Sequence, residues 1–595
     1  MAVLAVAAAV VVGTSLWASD RGLDLTDEGF ALLSHADPRA DAANFSQFSI
    51  LVDLLVGPLE PGVAGYRVLR LALLSITAAL LGGAFFDFCN ARLPRLAVGM
   101  PRRATVTVFV MVTGLLGYSW LPNTLSYNDL NTVLVQLEGL LLLRLGAAGD
   151  HRLSRWQTAG AVALGGLVAV HVFVKWTAAL AVLGLAAAAL LGWAGVRRGV
   201  WSCALVISGV VLTLVATTVE GLGGPFRMGA LLTAAEITAS GENHDPSQVL
   251  VKYGRTLLDT VLTVLSSSSW RVLALVVLLA GASGLAVAIR PARRAALVSW
   301  IAGGVAGTAL LVEAVRLSVT GSGYVVRGLQ GELLVSVLLA SGLSALLLDR
   351  TPVSRDDRRT RWTTVGVLLG LPFAAAFGTS SSLVLHAVTA AAGVGCLILL
   401  IVAGAIRRSR DHLPSVHLLA PAVLAAVFAA MVVHGTVLAP YRLPTPLLEQ
   451  ATAVEDVPRL EGIHTDPATA RFLRTLHRMA LEETDYRAGD PILALSHMPG
   501  LVYALEGTAP GPVWIDYPAP GVQERTCNAL RTAPAAVAAT DLVLLNSAVT
   551  PEMQACLEDL LPGWPDEFQE VGSVENSYAD ITELYAETVR VFARD

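Results

Sequence analysis

The sequence predicts a polytopic α-helical membrane protein with a small exterior α/β domain at its C-terminal end. Three observations predict it. Of 595 residues, 54% are hydrophobic and only 15% charged, with a mean hydropathy of +0.63; soluble globular chains of this size do not look like that. Apolar runs of ~18 or more residues recur over the first three quarters, each long enough for a helix to cross a bilayer. After about residue 440 the pattern changes to turn signals, charges and short alternating apolar runs, as expected where helices alternate with strands.

About 13 spans follow, near 2–17, 66–88, 104–121, 130–147, 157–174, 178–195, 199–219, 270–289, 295–315, 331–348, 363–378, 383–405 and 416–438. Residues 1–439 thus form the membrane domain, with a first exterior loop at 18–65, and residues 440–595 form the exterior domain. Ala2 to Trp17 carries no charge and lacks a basic n-region, so it reads as an uncleaved first span and not as a secretory signal.

The short connections sort by charge. Those after every second span, with the turns leading into them, hold Arg92, Arg95, Arg102, Arg103, Arg144, Arg152, Arg155, Arg197, Arg198, Arg290, Arg293, Arg294, Arg350, Arg355, Arg358, Arg359, Arg361, Arg407, Arg408 and Arg410. These are 20 of the 41 basic residues. The positive-inside rule makes that side cytoplasmic, which puts the N-terminus inside and the C-terminal domain outside. Ala, Val, Leu, Gly and Arg dominate while Lys is scarce, which suggests a bacterial plasma membrane. Net charge is only −6 and no basic patch suggests nucleic acid; membrane lipids are the expected surroundings.

In the exterior domain, 491–495, 513–516 and 541–546 read as strands, and 466–481, 520–531 and 551–560 as helices. Of five cysteines, Cys89, Cys203 and Cys396 sit in or beside spans. Cys527 and Cys556 lie in the exterior domain, where an oxidising compartment favours a disulfide between them; two buried thiols are the alternative.

Chemistry-bearing residues gather on the exterior side. Asp20, Asp24, Asp27 and Glu28 follow the first span, and carboxylates at such a boundary usually have a partner or a task. Thr26 capping a helix that starts at Asp27 is the plain structural explanation. The functional one is a base, Asp27, with Glu28 holding a cation or orienting an acceptor. Residues 44–56 read as an amphipathic stretch on the membrane surface. Tyr127, Asn128 and Asp129 belong to a polar exterior turn, plain turn chemistry or a substrate contact. Lys175, Arg327, Tyr441 and Arg442 put cations and a phenol at the outer boundary, where lysines snorkel and where a phosphate headgroup would lie. Glu138 and Glu313 are ionisable groups within apolar helices.

These features resemble the GT-C superfamily of membrane glycosyltransferases. The resemblance is carried by Asp27-Glu28-Gly29-Phe30, Ser126-Tyr127-Asn128, Phe173-Val174-Lys175, Phe377-Gly378-Thr379 and Pro440-Tyr441-Arg442, in their order and sidedness. It implies a GT-C-like fold and a polyprenyl-phosphate-linked sugar as donor. A cell-envelope glycan, lipid or protein would be the acceptor. Asp27 would be the general base, with Asp24, Tyr127, Asn128, Asp129, Lys175, Arg327, Tyr441 and Arg442 binding substrate. Some relatives hold a divalent cation (Mg or Mn) at the acidic motif, here Asp27 and Glu28, and others do not; both stay open. So do two other functions: a transporter or lipid flippase, and a non-catalytic scaffold whose exterior domain binds a ligand.

The charge alternation makes a direct prediction. A reporter enzyme active only outside the cytoplasm should work when fused after Asp595 and fail when fused after Arg359. The reverse pattern would overturn the sidedness.

Overall fold

The computed structural model describes residues 1–38, 46–148, 154–219, 224–239, 251–259, 262, 354–379, 382–408, 419–495, 497–515, 523–546, 548–581 and 586–594. The expected spans at 270–289, 295–315 and 331–348, and with them Arg327 and Glu313, lie outside the described residues.

The apolar runs form helices: α1 (Ala2–Trp17), α2 (Asp27–Ala36), α3 (Phe48–Val56), α4 (Val63–Arg92), α5 (Pro94–Ala97), α6 (Arg103–Gly114), α7 (Tyr127–Ala147), α8 (Arg155–Ala194), α9 (Val196–Thr218), α10 (Met228–Ala239), α11 (Arg355–Ala376), α12 (Leu383–Ala387), α13 (Ala392–Arg408) and α14 (Leu419–Val433). Among the described residues, six helices are long and apolar enough to cross a membrane. They become seven if Leu383–Ala390 and Ala392–Gly404, bent by 76°, are one span. The expected span at 104–121 is helical only to Gly114 and ends in a short 3-10 turn, Tyr118–Trp120. The helix α11 begins with eight residues rich in Arg and Asp before its apolar part.

The helix α8 runs through 40 residues with a single non-helical residue, Lys175 (φ −158°, ψ 88°). Gly160 lies against Leu145, and Trp193 lies against Gly146, so both ends of α8 meet the same end of α7. A straight helix from 160 to 193 would separate those ends by about 50 Å. The chain therefore reverses at Lys175, giving the two spans expected at 157–174 and 178–195. The first half then packs closely on α9, where a Cβ on Gly165 would fall 2.0 Å from the Val206 carbonyl. Small residues at such crossings let apolar helices approach without a hydrophobic driving force.

The bundle has two chemically distinct ends. At one, Arg103 and Arg144 face Asp87 at 3.1 and 3.6 Å, Arg92 donates to the Trp193 carbonyl at 2.9 Å, and Arg359 lies beside Gly195. At the other end of α4, Arg67 meets Glu28 and Arg70 meets Asp129. The 30-residue α4 is about 45 Å long and separates the two.

Among the described residues, the C-terminal part adds α15 (Pro467–Glu482), α16 (Pro499–Ala504), α17 (Gln523–Leu530), α18 (Pro534–Ala538) and α19 (Pro551–Leu560) to six strands. The strands are β1 (Thr452–Ala453), β2 (His464–Thr465), β3 (Ile492–Leu495), β4 (Leu542–Leu545), β5 (Phe568–Glu575) and β6 (Thr588–Arg594). A four-stranded sheet runs β3-β4-β6-β5, with β3 parallel to β4 and the other pairs antiparallel. Residues β3 and β4 alternate between two apolar clusters: Ile492, Ala494, Leu542 and Leu544 on one face, and Leu493, Leu495, Val543 and Leu545 on the other. Both faces are covered, as parallel pairs require. The expected strand at 513–516 is not formed over Val513–Ile515. The strands β5 and β6 are additions to the expected set; their half-exposed, charged faces carry no continuous apolar run.

The C-terminal sheet and its helices sit directly on the acidic loop. Gly500 N–H donates to Leu25 O at 2.9 Å, Gly22 N–H to His464 O at 2.7 Å, and the Tyr578 hydroxyl to Leu23 O. A Cβ on Gly29 would fall 2.3 Å from Gly500 N, so α2 and α16 cross with no room for a side chain.

Cys527 on α17 and Cys556 on α19 form the expected disulfide, with Cα atoms 6.0 Å apart. Thiol labelling of the denatured, unreduced protein should leave both unmodified. Replacing both with Ser should cost the C-terminal part about 2–5 kcal/mol. Labelling of both residues without reduction would remove the bond.

Candidate active site

The loop between α1 and α2 folds around its own carboxylates. Asp24 accepts from the Thr26 amide (2.9 Å), the Thr26 hydroxyl (2.6 Å) and the Glu28 amide (3.1 Å), while its own amide donates to Glu28 Oε2 at 3.0 Å. The expected capping group was the Thr26 side chain, which makes no such bond. Asp24 does the capping instead, two residues earlier, because its carboxylate reaches both donors at once.

Glu28 takes a different role from the expected one. Arg67 donates Nε to its Oε1 and Nη2 to its Oε2, both at 2.8 Å, and both side chains are 1% exposed. The same guanidinium donates to Ser19 O, Arg21 O and Gly22 O at 3.0, 2.9 and 2.7 Å. Glu28 is therefore the keystone of a buried fork, sealed away from any substrate. Asp129, expected to contact substrate, is likewise buried: it receives Arg70 Nε at 2.7 Å and closes a capping box with Ser126.

Two carboxylates of this cluster stay accessible: Asp20, with 38% of its side chain exposed and paired with Arg21, and Asp27, with 32% exposed. The Tyr441 hydroxyl donates to Asp27 Oδ2, and Arg442 Nη1 lies 3.2 Å from the same oxygen and 2.8 Å from Thr26 Oγ1. Tyr441 and Arg442 follow a π-helical turn, His434–Leu438, at the end of α14. Arg442 has φ +48°, a left-handed conformation that costs a non-glycine residue about 1 kcal/mol or more and concentrates at functional sites. Burial and the Asp27 charge push the Tyr441 phenol well up, so it remains a donor. Burial, then the charge of Asp27, raises the Asp24 carboxyl to about 7.

Tyr127 bonds Asn128 and lies within the fields of Asp27 and Arg442. The Phe48 ring packs between Phe30 and Tyr127 at 5.8 and 6.3 Å, and Trp514 from the sheet domain meets Phe30 edge-on at 5.8 Å. The expected surface helix at 44–56 corresponds to α3. It shows Leu54 and Leu55 outward and buries Phe48, Ile50 and Val52. Lys175 is at the same end, next to Val174 of the apolar cluster that holds Leu25 and Phe30. Its Nζ donates to Ala375 O at 3.0 Å.

Asp24, Asp27, Tyr127, Asn128, Tyr441 and Arg442 are thus brought together, Lys175 lies at the same end of the bundle, and Glu28 and Asp129 lie beneath as ion-pair partners. Arg67 and Arg70 were missed. Their spacing of three residues within an apolar helix was the available signal, since buried arginines on one helix face need acids opposite. Asp27 and Glu28 together do not fit a divalent cation: both Glu28 oxygens are engaged by Arg67, and Asp27 faces a guanidinium. Among the described residues no group of three or more His, Cys, Asp or Glu is placed to hold a metal.

No known family's sequence profile matches the chain, and no curated protein does. Solved structures with a similar overall course include the oligosaccharyltransferase of Archaeoglobus fulgidus in complex with Zn and sulfate. That match has 12% identity and a TM-score of 0.44, over 94% of this chain and 70% of that one. The same enzyme tethered to an acceptor peptide matches at 12% identity and a TM-score of 0.42, over 95% and 70%. ArnT of Cupriavidus metallidurans, bound to undecaprenyl phosphate, matches at 12% identity and a TM-score of 0.39, over 99% and 97%.

Breaking the buried fork has a defined expected cost. Arg67→Met leaves Glu28 charged and unpaired, and should destabilise the protein by about 3–5 kcal/mol in detergent unfolding. Adding Glu28→Gln to that variant should recover part of the loss. A change below about 1 kcal/mol for Arg67→Met would mean that the pair does not hold the loop.

Proposed function

We propose that this protein is a membrane glycosyltransferase that moves a sugar from a polyprenyl-phosphate donor to an acceptor hydroxyl on the exterior side. The observation that carries the reading is Asp27: an accessible carboxylate at the rim of the bundle, pressed between a phenol and an arginine, with Asp24 and Glu28 buried beside it. The resemblance of Asp27-Glu28-Gly29-Phe30 to the acidic motif of GT-C enzymes agrees with it. The charges at the two ends of the bundle support the sidedness. The end that collects Arg92, Arg103, Arg144 and Arg359 is the cytoplasmic one by the positive-inside rule, so the Asp27 end faces outward. The chain is then a multi-pass protein of a bacterial plasma membrane, with its N-terminus cytoplasmic and its C-terminal domain exterior.

The chemistry uses few groups. The acceptor oxygen attacks the anomeric carbon of the donor and Asp27 takes the hydroxyl proton. The bond from the anomeric carbon to the phosphate oxygen breaks with inversion, and its electron pair leaves on the polyprenyl phosphate. Arg442 stands beside Asp27 in the structure. A donor phosphate is the stronger anion, and shifting the guanidinium onto it would free Asp27 to act as base and stabilise the leaving charge. Lys175 supplies a second cation at the same rim. Tyr441 remains on Asp27 to orient it. No step is assigned to a metal, because the Asp27–Glu28 pair does not fit one.

Asp27→Asn keeps shape and most hydrogen bonds but cannot accept the proton. It should lower turnover ~10²–10⁴-fold while the protein inserts, folds and retains its affinity for the lipid-linked donor. Glu28→Gln should act on stability before it acts on turnover. Full glycan transfer by a folded Asp27→Asn protein would remove the central residue and favour the transporter reading.

A further inference from the structure

Beneath Lys175 lies a chain of polar side chains that the proposed reaction does not use. Glu138 and His171 are both fully buried between α7 and α8, with His171 Nδ1 3.1 Å from each Glu138 carboxylate oxygen. His171 Nε2 lies 2.9 Å from Asn131 Oδ1, and Asn131 Nδ2 donates to Ala375 O at 2.9 Å. The same carbonyl accepts Lys175 Nζ at 3.0 Å.

The direction of these bonds is forced. Ala375 O can only accept, so the Asn131 amide nitrogen must face it and Oδ1 must face His171. Oδ1 also only accepts, so Nε2 carries a hydrogen. One further proton is then shared between Nδ1 and the Glu138 carboxylate. On either side of that bond the Glu138–His171 pair is neutral overall. The negative charge of Glu138 is matched inside the network and not by Lys175. Ala375 belongs to the last turn of α11, where carbonyls lack intrahelical partners and the helix end carries partial negative charge. Such a carbonyl seats a cation without neutralising it. Among the described residues no carboxylate lies within ion-pair distance of Lys175.

We propose that Glu138, His171 and Asn131 are positioning residues that seat the Lys175 ammonium on Ala375 O while leaving its full charge for an anion, the monophosphate of a polyprenyl lipid. This rests on the reading of Lys175 as a cation for the donor phosphate. Removing His171 or its contact to Asn131 would release an unmatched carboxylate or an unseated ammonium. Asn131→Asp would set a carboxylate beside Lys175 and cancel its charge.

The test is a double-mutant cycle on the full chain in zwitterionic nanodiscs, reading the affinity for a C55 polyprenyl monophosphate. Lys175→Met should weaken binding ~10-fold or more, the size of a lost charge-assisted hydrogen bond. Asn131→Asp should weaken it ~10-fold when Lys175 is present and less than ~2-fold in the Lys175→Met background, since the coupling runs through that ammonium. Equal losses in both backgrounds would mean a purely structural effect and overturn the positioning chain alone. Unchanged affinity in Lys175→Met would overturn the phosphate reading of Lys175 itself. If Asn131→Asp does not fold, His171→Gln replaces it in the same cycle: a loss confined to the Lys175 background supports the chain, and a loss of equal size in both overturns it.

Discussion

Much of the structure depends on one buried guanidinium. Arg67 pays for its desolvation with five hydrogen bonds, two to Glu28 and three to carbonyls of Ser19, Arg21 and Gly22. An ion pair so deeply buried contributes little net stability over an apolar replacement, but removing one partner is costly. Its effect here is geometric. It fixes the loop after α1 against α4, and through Glu28 it fixes the start of α2. Asp27 is then presented at the rim with Glu28 turned inward. The sheet domain docks onto that same loop through Leu23, Leu25 and Gly29, so its seat also depends on the fork. The second buried arginine, Arg70, ties the start of α7 to α4 in the same manner through Asp129.

This arrangement separates acids that hold from the acid that is offered. Asp24, Glu28 and Asp129 are buried and spend their oxygens on amides, hydroxyls and guanidinium groups. Asp27 meets a phenol and a cation that can exchange toward an incoming phosphate. The division explains why four carboxylates close in sequence or space need not share a role. It also explains why a metal is not required to reconcile them: each inward acid already has a cation or a set of N–H donors.

The parts of the fold set by periodicity were legible. The spans at 2–17 and 130–147 match helices within a few residues, and the reversal at Lys175 was visible as a polar residue between two apolar runs. The strands β3 and β4 were legible because both their faces are buried, which leaves an unbroken apolar run. The strands β5 and β6 were not, because exposed and partly exposed residues, several of them charged, interrupt their apolar alternation. An acid, a phenol and a cation at apolar boundaries singled out Asp27, Tyr441 and Arg442, and the structure brings these side chains into contact. The site was misread at Glu28 and Asp129, since adjacency in sequence does not say which way a side chain points on a helix start. Arg67, Arg70 and the His171 network were hidden for the opposite reason. Single polar residues in apolar helices show their partners only when the helices are packed.

The central claim is that the outward rim around Asp27 receives the phosphate and the sugar of a lipid-linked donor. The most direct test is an experimental structure of the full chain in nanodiscs with a polyprenyl-phosphate sugar. Phosphate oxygens should lie within about 3 Å of Arg442, the usual length of a charge-assisted hydrogen bond, with Asp27 released from that arginine and facing the anomeric carbon. A phosphate seated at the arginine-rich end beside Arg92 and Arg103, with the Asp27–Arg442 pair undisturbed, would contradict it.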